Sequence, residues 1–170
     1  MVQNQGLDRR YRLKEREVKE ILERAAVSLE KIDLAPFMKG MEIAKISTQD
    51  SVFLLSETPV FINANGEVFP TLLNKEILSK LPVITVDRGA VPHLCNGADL
   101  MAPGIINISG KFQAGAIGVV VDEKFAKPIA LVITFYSSDE LSEKKEGKVA
   151  RNIHFVGDRF WKLFKQVKRI

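Results

Sequence analysis

One stretch of the chain, residues 83–105, constrains the fold more than any other because glycine stands at each of its junctions. It opens with a β-branched run that ends at Asp87, whose carboxylate can accept the first free N–H groups of a helix. Pro92 lacks an N–H and is tolerated only in the first helical turn, so the helix begins near Gly89. Gly97 then falls just past the helix, where a left-handed conformation closes it. The stretch therefore predicts a strand, a short helix and a second strand.

After this helix the chain is extended over residues 99–102 and turns at Pro103 and Gly104, where glycine is predicted to accept a positive φ. The glycines of this stretch let a ribose-phosphate chain approach the backbone, whose N–H groups can donate to phosphate. Arg88 supplies a positive charge beside them. The alternative interpretation is that the glycines only shape the fold. Aromatic residues are few nearby, so recognition by shape rather than by base stacking is predicted.

The composition limits the size, the charge and the compartment of the protein. A chain of 170 residues with 46% hydrophobic residues can bury about 70% of its unfolded surface, enough for one ordinary domain or two small ones. The formal net charge of +4 favours a polyanionic partner without requiring one. Cys95 is the only cysteine, which excludes an internal disulfide and fits a reducing compartment. The sequence has no secretory signal and no membrane-spanning run, so a cytoplasmic protein is predicted.

The N-terminal half predicts a small α+β unit. Apolar residues recur at helical spacing over residues 13–32, which predicts the long helix of the chain. Short strand patterns follow over residues 43–69. Within them, Asn65-Gly66 predicts a tight hairpin, because both central residues of such a turn must accept positive φ. A second helix is predicted over residues 72–81.

Five cationic residues crowd the N-terminal end of the long helix, where the helix dipole does not favour them. Two interpretations stay open: a solvated basic arm, or accessory contacts to nucleic-acid phosphates. The five residues are Arg9, Arg10, Arg12, Lys14 and Arg16.

The C-terminal half predicts mainly strands. Apolar runs in this half are typical of buried strands, and the glycines among them are expected where strands bend. Ser137 with Glu140 forms a capping box for a short helix over residues 139–146. The predicted strands are residues 105–108, 115–122, 129–135, 153–155 and 160–161.

Three other kinds of site have weak support in the sequence. A metal site built from the two histidines, Cys95 and Asp158 would lack a second cysteine and any CxxC pair. A nucleophilic Cys95 would lack a third group to orient its base. Asp87 and Asp99 are candidates for an acid–base pair, but helix capping and turn hydrogen bonds explain them better.

The glycine-framed stretch resembles the signature of the PUA domain, the RNA-binding module of pseudouridine synthases and archaeosine transglycosylases. The matching residues are 87–90 and 97–104, and residues 115–121 and 128–133 fit later strands of that module.

Motifs outside the module are similar to those of the family of malignant T-cell-amplified, translation-associated proteins, which includes ligatin-type initiation factors and single-chain archaeal relatives. These motifs are residues 69–72 ahead of the module and residues 152–155 and 158–161 behind it. The resemblance covers residues 42–161 and is strongest over residues 69–105.

This resemblance implies an α+β fold, with an N-terminal α+β domain at residues 1–81 and a mostly-β PUA pseudo-barrel at residues 82–170. It implies a non-enzymatic RNA-binding protein without a cofactor, acting in translation initiation or recycling at the small ribosomal subunit. The expected partners are rRNA or tRNA and a protein with an initiation-factor-type domain. The alternatives are a specificity subunit of a tRNA- or rRNA-modifying enzyme and, third, a protein-interaction adaptor. The expected RNA-binding residues are Arg88, Gly89, Asn96, Gly97, Ala98, Asp99, Met101, Pro103 and Gly104.

Overall fold

The computed structural model describes residues 8–167, which form two β-sheets and five α-helices. This mixed α+β architecture confirms the predicted fold class. The first sheet is antiparallel, with its strands in chain order. Its strands are β1 (Asp8–Arg12), β2 (Met41–Lys45), β3 (Asp50–Leu55), β4 (Thr58–Ala64) and β5 (Glu67–Pro70).

The first helix, α1 (Glu15–Ala26), packs its apolar face on the first sheet but ends before the predicted end at Ile32. The residues after it form tighter turns, in which the N–H of Leu29 donates to Ala26 and that of Ile32 donates to Leu29. Lys31 takes a φ of 69°, a left-handed conformation that does not continue a helix. Leu29 and Ile32 still pack into the core. The apolar spacing therefore persists where the helix does not.

The predicted hairpin is confirmed, because Asn65 and Gly66 take φ of 49° and 91° between β4 and β5. The second helix, α2 (Lys75–Leu78), is shorter than predicted. Its start is fixed by Asn74, whose side-chain oxygen accepts the N–H of Ile77 at 3.2 Å. A capping side chain thus sets the boundary that apolar spacing alone placed too early.

The second sheet contains the glycine-rich stretch. The strands of this sheet and the helices that follow them are, in chain order, β6 (Val83–Val86), α3 (Ala90–Leu94), β7 (Leu100–Met101), β8 (Ile105–Ser109), β9 (Ile117–Asp122), β10 (Pro128–Thr134), α4 (Ser138–Glu143), β11 (Lys148–Phe155) and α5 (Arg159–Val167). The strand order is β7-β11-β10-β9-β6-β8, and only β6 and β9 run parallel within the described residues. The capping box of Ser137 and Glu140 ahead of α4 is confirmed. None of the helices in residues 8–167 is long and apolar enough to span a membrane.

The last helix, α5, stands where the sequence predicts a strand at residues 160–161, and that prediction is wrong. Asp158 starts the helix, because its Oδ1 accepts the N–H of Trp161 at 2.7 Å. Phe160 and Phe164, one helical turn apart, are both buried. The cap and the helical spacing outweigh the strand propensity of phenylalanine and tryptophan.

Strand β9 connects the two sheets, because its side chains alternate between two hydrophobic cores. Ile117, Val119 and Val121 pack into the core that surrounds the first sheet, whereas Val120 packs into the core of the second. The two buried phenylalanines of α5 also belong to the first core. A division into domains after residue 81 stays a prediction, and the first core contains side chains from both sides of that position.

Candidate nucleic-acid interface

The helix α3 begins where the sequence predicts. Asp87 follows β6, and its Oδ1 accepts the N–H of Ala90 at 2.8 Å. Pro92 lies in the first turn of the helix, where its missing N–H is tolerated. The N–H of Asp87 also donates to the carbonyl of Gly104 at 3.0 Å. The start of α3 is therefore joined to the chain that returns past it.

A left-handed turn closes α3, which confirms the second part of the prediction. Gly97 has a φ of 89°, and the N–H of Ala98 donates back to the carbonyl of His93 at 3.0 Å. A Cβ atom on Gly97 would lie 3.3 Å from the ring of Phe155. Glycine is thus favoured here both by conformation and by the neighbouring ring.

Asn152 of β11 holds this turn and was not assigned a role from the sequence. Its Nδ2 donates to the carbonyls of Leu94 and Ala98, each at 3.0 Å. These partners stand 58 and 54 positions earlier in the chain. No spacing within a single sequence indicates such a pairing, which arises because β11 is hydrogen-bonded to β7.

Gly104 is required for close approach rather than for a positive φ. Residues Ala102–Gly104 form a 3-10 turn, and the prediction of a left-handed Gly104 is wrong, since its φ is not positive. A Cβ atom at this position would lie 2.9 Å from the Cβ of Ala90. The absence of a side chain therefore lets the returning chain lie directly against α3.

These elements enclose a groove of about 480 Å³ beside α3, which we call the α3 groove. Its lining is mainly apolar and combines four glycine and alanine residues with larger side chains, among them those of Leu100, Met101 and His93. Arg88, Asn96 and Gly97 are exposed next to the groove but do not line it. The predicted residues that line it are Gly89, Ala98, Asp99, Met101, Pro103 and Gly104.

Asp99 lies in the α3 groove, but its carboxylate is engaged within the fold. Its Oδ1 accepts the N–H of Asn152 at 2.9 Å, and its Oδ2 pairs with Nζ of Lys148 at 2.8 Å. Partial burial opposes ionisation, yet the hydrogen bonds from Lys148 and Asn152 outweigh it and lower the pKa of Asp99 below its ordinary value. Asp99 therefore fixes β7 against β11. In the acid–base pair considered above, both carboxylates, those of Asp87 and Asp99, are engaged in hydrogen bonds within the fold.

Arg10 does not belong to a solvated arm, because it lies in β1 at the edge of the first sheet. Its guanidinium pairs with Glu57, at 2.8 Å from Nη1 to Oε2, and also with Glu42. The hydrogen bond to Glu57 contributes most to raising the pKa of Arg10. Its charge is therefore already compensated, which opposes the predicted phosphate contact.

The other cationic residues of this region differ in whether they form an ion pair. Arg16 pairs with Glu20 at 3.4 Å on the exposed face of α1. Arg12 and Lys14 are exposed and form no ion pair within residues 10–165, so contact with phosphate stays a prediction for these two. The side chain of Arg9 lies outside the described part of the structure.

A second groove, of about 710 Å³, lies between the two sheets near the end of α3. Arg151 in this groove pairs with Glu67 at 3.0 Å, and Arg159 pairs with Asp50 at 2.6 Å. Both cations are thus partly compensated by carboxylates of the first sheet. The polar and charged residues of its lining include Asn96, Arg151, Arg159 and Lys162.

His154 and Asp158, considered above as metal ligands, instead form a buried pair. His154 Nδ1 lies 2.7 Å from Asp158 Oδ2, and the imidazole is fully buried among Phe69, Phe160 and Phe164. Burial opposes ionisation of Asp158, but the hydrogen bond from His154 and those from two backbone N–H groups outweigh it, so the pKa of Asp158 is lowered. The pair joins β11 to the start of α5.

The described residues give no support to the metal site or to the nucleophilic cysteine. No three histidine, cysteine, aspartate or glutamate side chains among them are placed to hold a metal ion. Burial raises the pKa of the Cys95 thiol above its ordinary value, which opposes the thiolate that a nucleophile needs.

Two family models match the chain. One is the PUA domain, over residues 82–156, and the other is a domain of unknown function, DUF1947, over residues 9–75. An uncharacterized protein of Methanocaldococcus jannaschii is 36% identical, over 90% of this chain and 95% of that protein. The chain belongs to this family of PUA-domain proteins.

Relatives of this PUA-domain protein are named for translation. Translation machinery-associated protein 20 of Schizosaccharomyces pombe is 29% identical over 73% of each chain, and malignant T-cell-amplified sequences also match. The crystal structure of a hypothetical protein of the hyperthermophilic archaeon Pyrococcus horikoshii superposes with a TM-score of 0.74 at 28% identity, covering 92% of this chain and 99% of that one. The resemblance to the PUA domain and to the malignant T-cell-amplified, translation-associated family is thus confirmed.

Proposed function

We propose that this protein binds structured RNA in the α3 groove and acts in translation at the small ribosomal subunit, with tRNA or rRNA as its ligand. The observation that carries the proposal is the lining of the groove, where Gly89, Ala98 and Gly104 have no side chain beyond a Cβ atom to keep a ligand away from the chain. Such a surface admits a ribose-phosphate chain and recognises it by shape. The names of the relatives support a place in translation.

The residues of the site have different roles in this proposal. Arg88 and Asn96 are exposed beside the groove and donate hydrogen bonds to phosphate oxygens. Gly97 and Asp99 keep the end of α3 and the start of β7 in place. The contact surface itself is formed by Gly89, Ala98, Met101, Pro103 and Gly104.

The groove offers binding rather than acid–base chemistry. Its two carboxylates, those of Asp87 and Asp99, both accept backbone hydrogen bonds within the fold. Both carboxylates thus serve the fold, and the imidazole of His93, which also lines the groove, has no side-chain partner within residues 10–165 to orient it as a base. We infer a binding protein that presents or positions RNA.

The affinity for a structured RNA is expected to fall steeply as salt is raised. If about four to six phosphates are neutralised, the logarithm of the affinity falls against the logarithm of the salt concentration with a slope of about −3 to −5. Fluorescence anisotropy with a labelled RNA stem-loop measures this slope. Arg88→Ala should reduce the slope by about one. A slope near zero for the wild-type protein would contradict electrostatic binding.

A matched control for Arg88→Ala is Lys111→Ala. Lys111 is also exposed, but it pairs with Asp139 of α4 and does not line the α3 groove. The Lys111→Ala variant should keep the wild-type slope. An equal change in both variants would assign the salt dependence to net charge rather than to this site.

A further inference from the structure

The turn between β9 and β10 presents an aromatic side chain to solvent. Phe125 is 68% exposed, more than any other aromatic residue in the described part of the chain. Lys124 and Lys127 flank it in the turn and are exposed as well. A large, solvent-exposed apolar ring between two cations is suited to binding a ligand that is both flat and anionic.

The turn is held in one conformation by Asp122. Its carboxylate accepts the N–H groups of Lys124, Phe125 and Lys127 at 3.2, 2.8 and 2.7 Å. Ala126 takes a φ of 50°, which turns the chain back into β10. Phe125 is thus presented by a structured turn, and its exposure is not the result of a loose loop.

The fold places this turn beside α3. Strands β6 and β9 run parallel, with Val86 opposite Asp122, so α3 and the turn emerge from the same end of the pair. The carboxylate of Glu123 accepts the N–H of Arg88 at 3.0 Å, and the N–H of Glu123 donates to the carbonyl of Val86 at 3.1 Å. The turn that carries Phe125 is therefore hydrogen-bonded to the chain just before α3, beside the α3 groove, although Phe125 stands 20 positions after residues 83–105.

The charges around the turn favour an anion. Asp122 and Glu123 direct their carboxylates to backbone N–H groups, whereas Arg88, Lys124 and Lys127 form no ion pair within residues 10–165. The Nζ atom of Lys124 lies 4.9 Å from the centroid of the Phe125 ring. It lies over one ring face, and Phe125 is still exposed enough to accept a stacked partner.

We propose that Phe125 is a stacking site for one unpaired base of an RNA whose backbone lies in the α3 groove. Lys124 and Lys127 contact the phosphates on either side of that base. The inference rests on the proposed function and extends it, because the ligand becomes a helical RNA with an adjoining single-stranded segment. Stacking on an aromatic ring tolerates any base, so this site selects single-stranded character rather than sequence.

The test uses the full-length protein and three RNA probes: a blunt stem-loop, and the same stem-loop with a short single-stranded overhang at its 5′ end or at its 3′ end. Phe125→Ala should weaken binding of an overhang probe by about 10-fold and leave binding of the blunt stem unchanged. Phe125→Trp should retain the wild-type preference. Phe135→Ala is the matched control, because Phe135 is also exposed, at 45%, but follows the opposite end of β10.

Fluorescence of 2-aminopurine in the overhang adds a readout of stacking itself. The wild-type protein should quench it at one overhang position, and Phe125→Ala should abolish that quenching. Equal affinities of wild type and Phe125→Ala for both overhang probes, without a change in quenching, would overturn the stacking site while leaving binding in the α3 groove intact. If wild type binds neither the blunt nor the overhang probe, the proposed function fails as well.

Discussion

Replacing Ala98 with glutamate is expected to weaken the binding of structured RNA by about 100-fold, because a carboxylate in the α3 groove repels phosphate at close range. Ala98 lines the groove, is exposed and has no positive φ, so the new side chain causes no backbone strain. Glutamate at Gly97 would be a less specific test, since its φ is 89°. Affinity is measured by anisotropy at fixed, moderate salt.

Two variants control for effects other than local repulsion. Ala114→Glu makes the same change at another exposed alanine, beside the N-terminal end of β9 and away from α3, and should retain wild-type affinity. Ala98→Lys keeps the length of the side chain but reverses its charge, and should bind at least as tightly as wild type. If Ala98→Glu binds like wild type, the α3 groove is not where the RNA backbone lies.

Replacing Asp158 with alanine is expected to lower the free energy of unfolding by about 2–4 kcal/mol. Asp158 accepts the N–H groups of Phe155 and Trp161 at 3.1 and 2.7 Å and pairs with the buried His154 at 2.7 Å. The substitution removes the cap of α5 and leaves a buried imidazole without its partner. Because α5 packs into the first core, which also contains side chains of β9, the loss affects both sheets. Urea denaturation at neutral pH measures it.

The stability difference between wild type and Asp158→Ala should depend on pH. The pKa of Asp158 is lowered in the folded protein relative to about 3.9 in the unfolded chain. Its contribution is therefore complete above the unfolded pKa and is lost as pH falls through the folded pKa. The difference should shrink in strong acid. Asp139→Ala, at an exposed carboxylate of α4, should cost less than about 0.5 kcal/mol at every pH.

A stability difference that stays constant from neutral to strongly acidic pH would contradict the role of the ionised Asp158. It would assign the loss to the packing of α5 alone.

The sequence predicted the region around α3 well because its determinants are local. Asp87 caps the helix, Pro92 sets its first turn and Gly97 closes it, all within a dozen positions. Asp158 caps α5 in the same local way, but the aromatic pair Phe160-Trp161 beside it has the composition of a strand and masks that signal. Helical spacing was therefore a reliable guide where a cap was recognised beside it.

The parts of the candidate site that could not be predicted depend on strand pairing. Asn152 reaches Leu94 because β11 lies next to β7, and the turn of Phe125 reaches Arg88 because β6 and β9 are parallel. The ion pairs of Arg10 could not be predicted for the same reason, since Glu42 and Glu57 meet it only across the first sheet. A single sequence therefore offers candidate RNA-binding residues but does not indicate which of them the sheets bring together.

Sedimentation with purified small ribosomal subunits of the source organism tests the central claim most directly. Full-length wild type, Ala98→Glu and Ala114→Glu are compared in sucrose gradients at moderate salt. We expect wild type and Ala114→Glu to migrate with the subunit and Ala98→Glu to remain with free protein. If wild type also remains with free protein and instead co-purifies with a tRNA- or rRNA-modifying enzyme, the ribosomal role is contradicted.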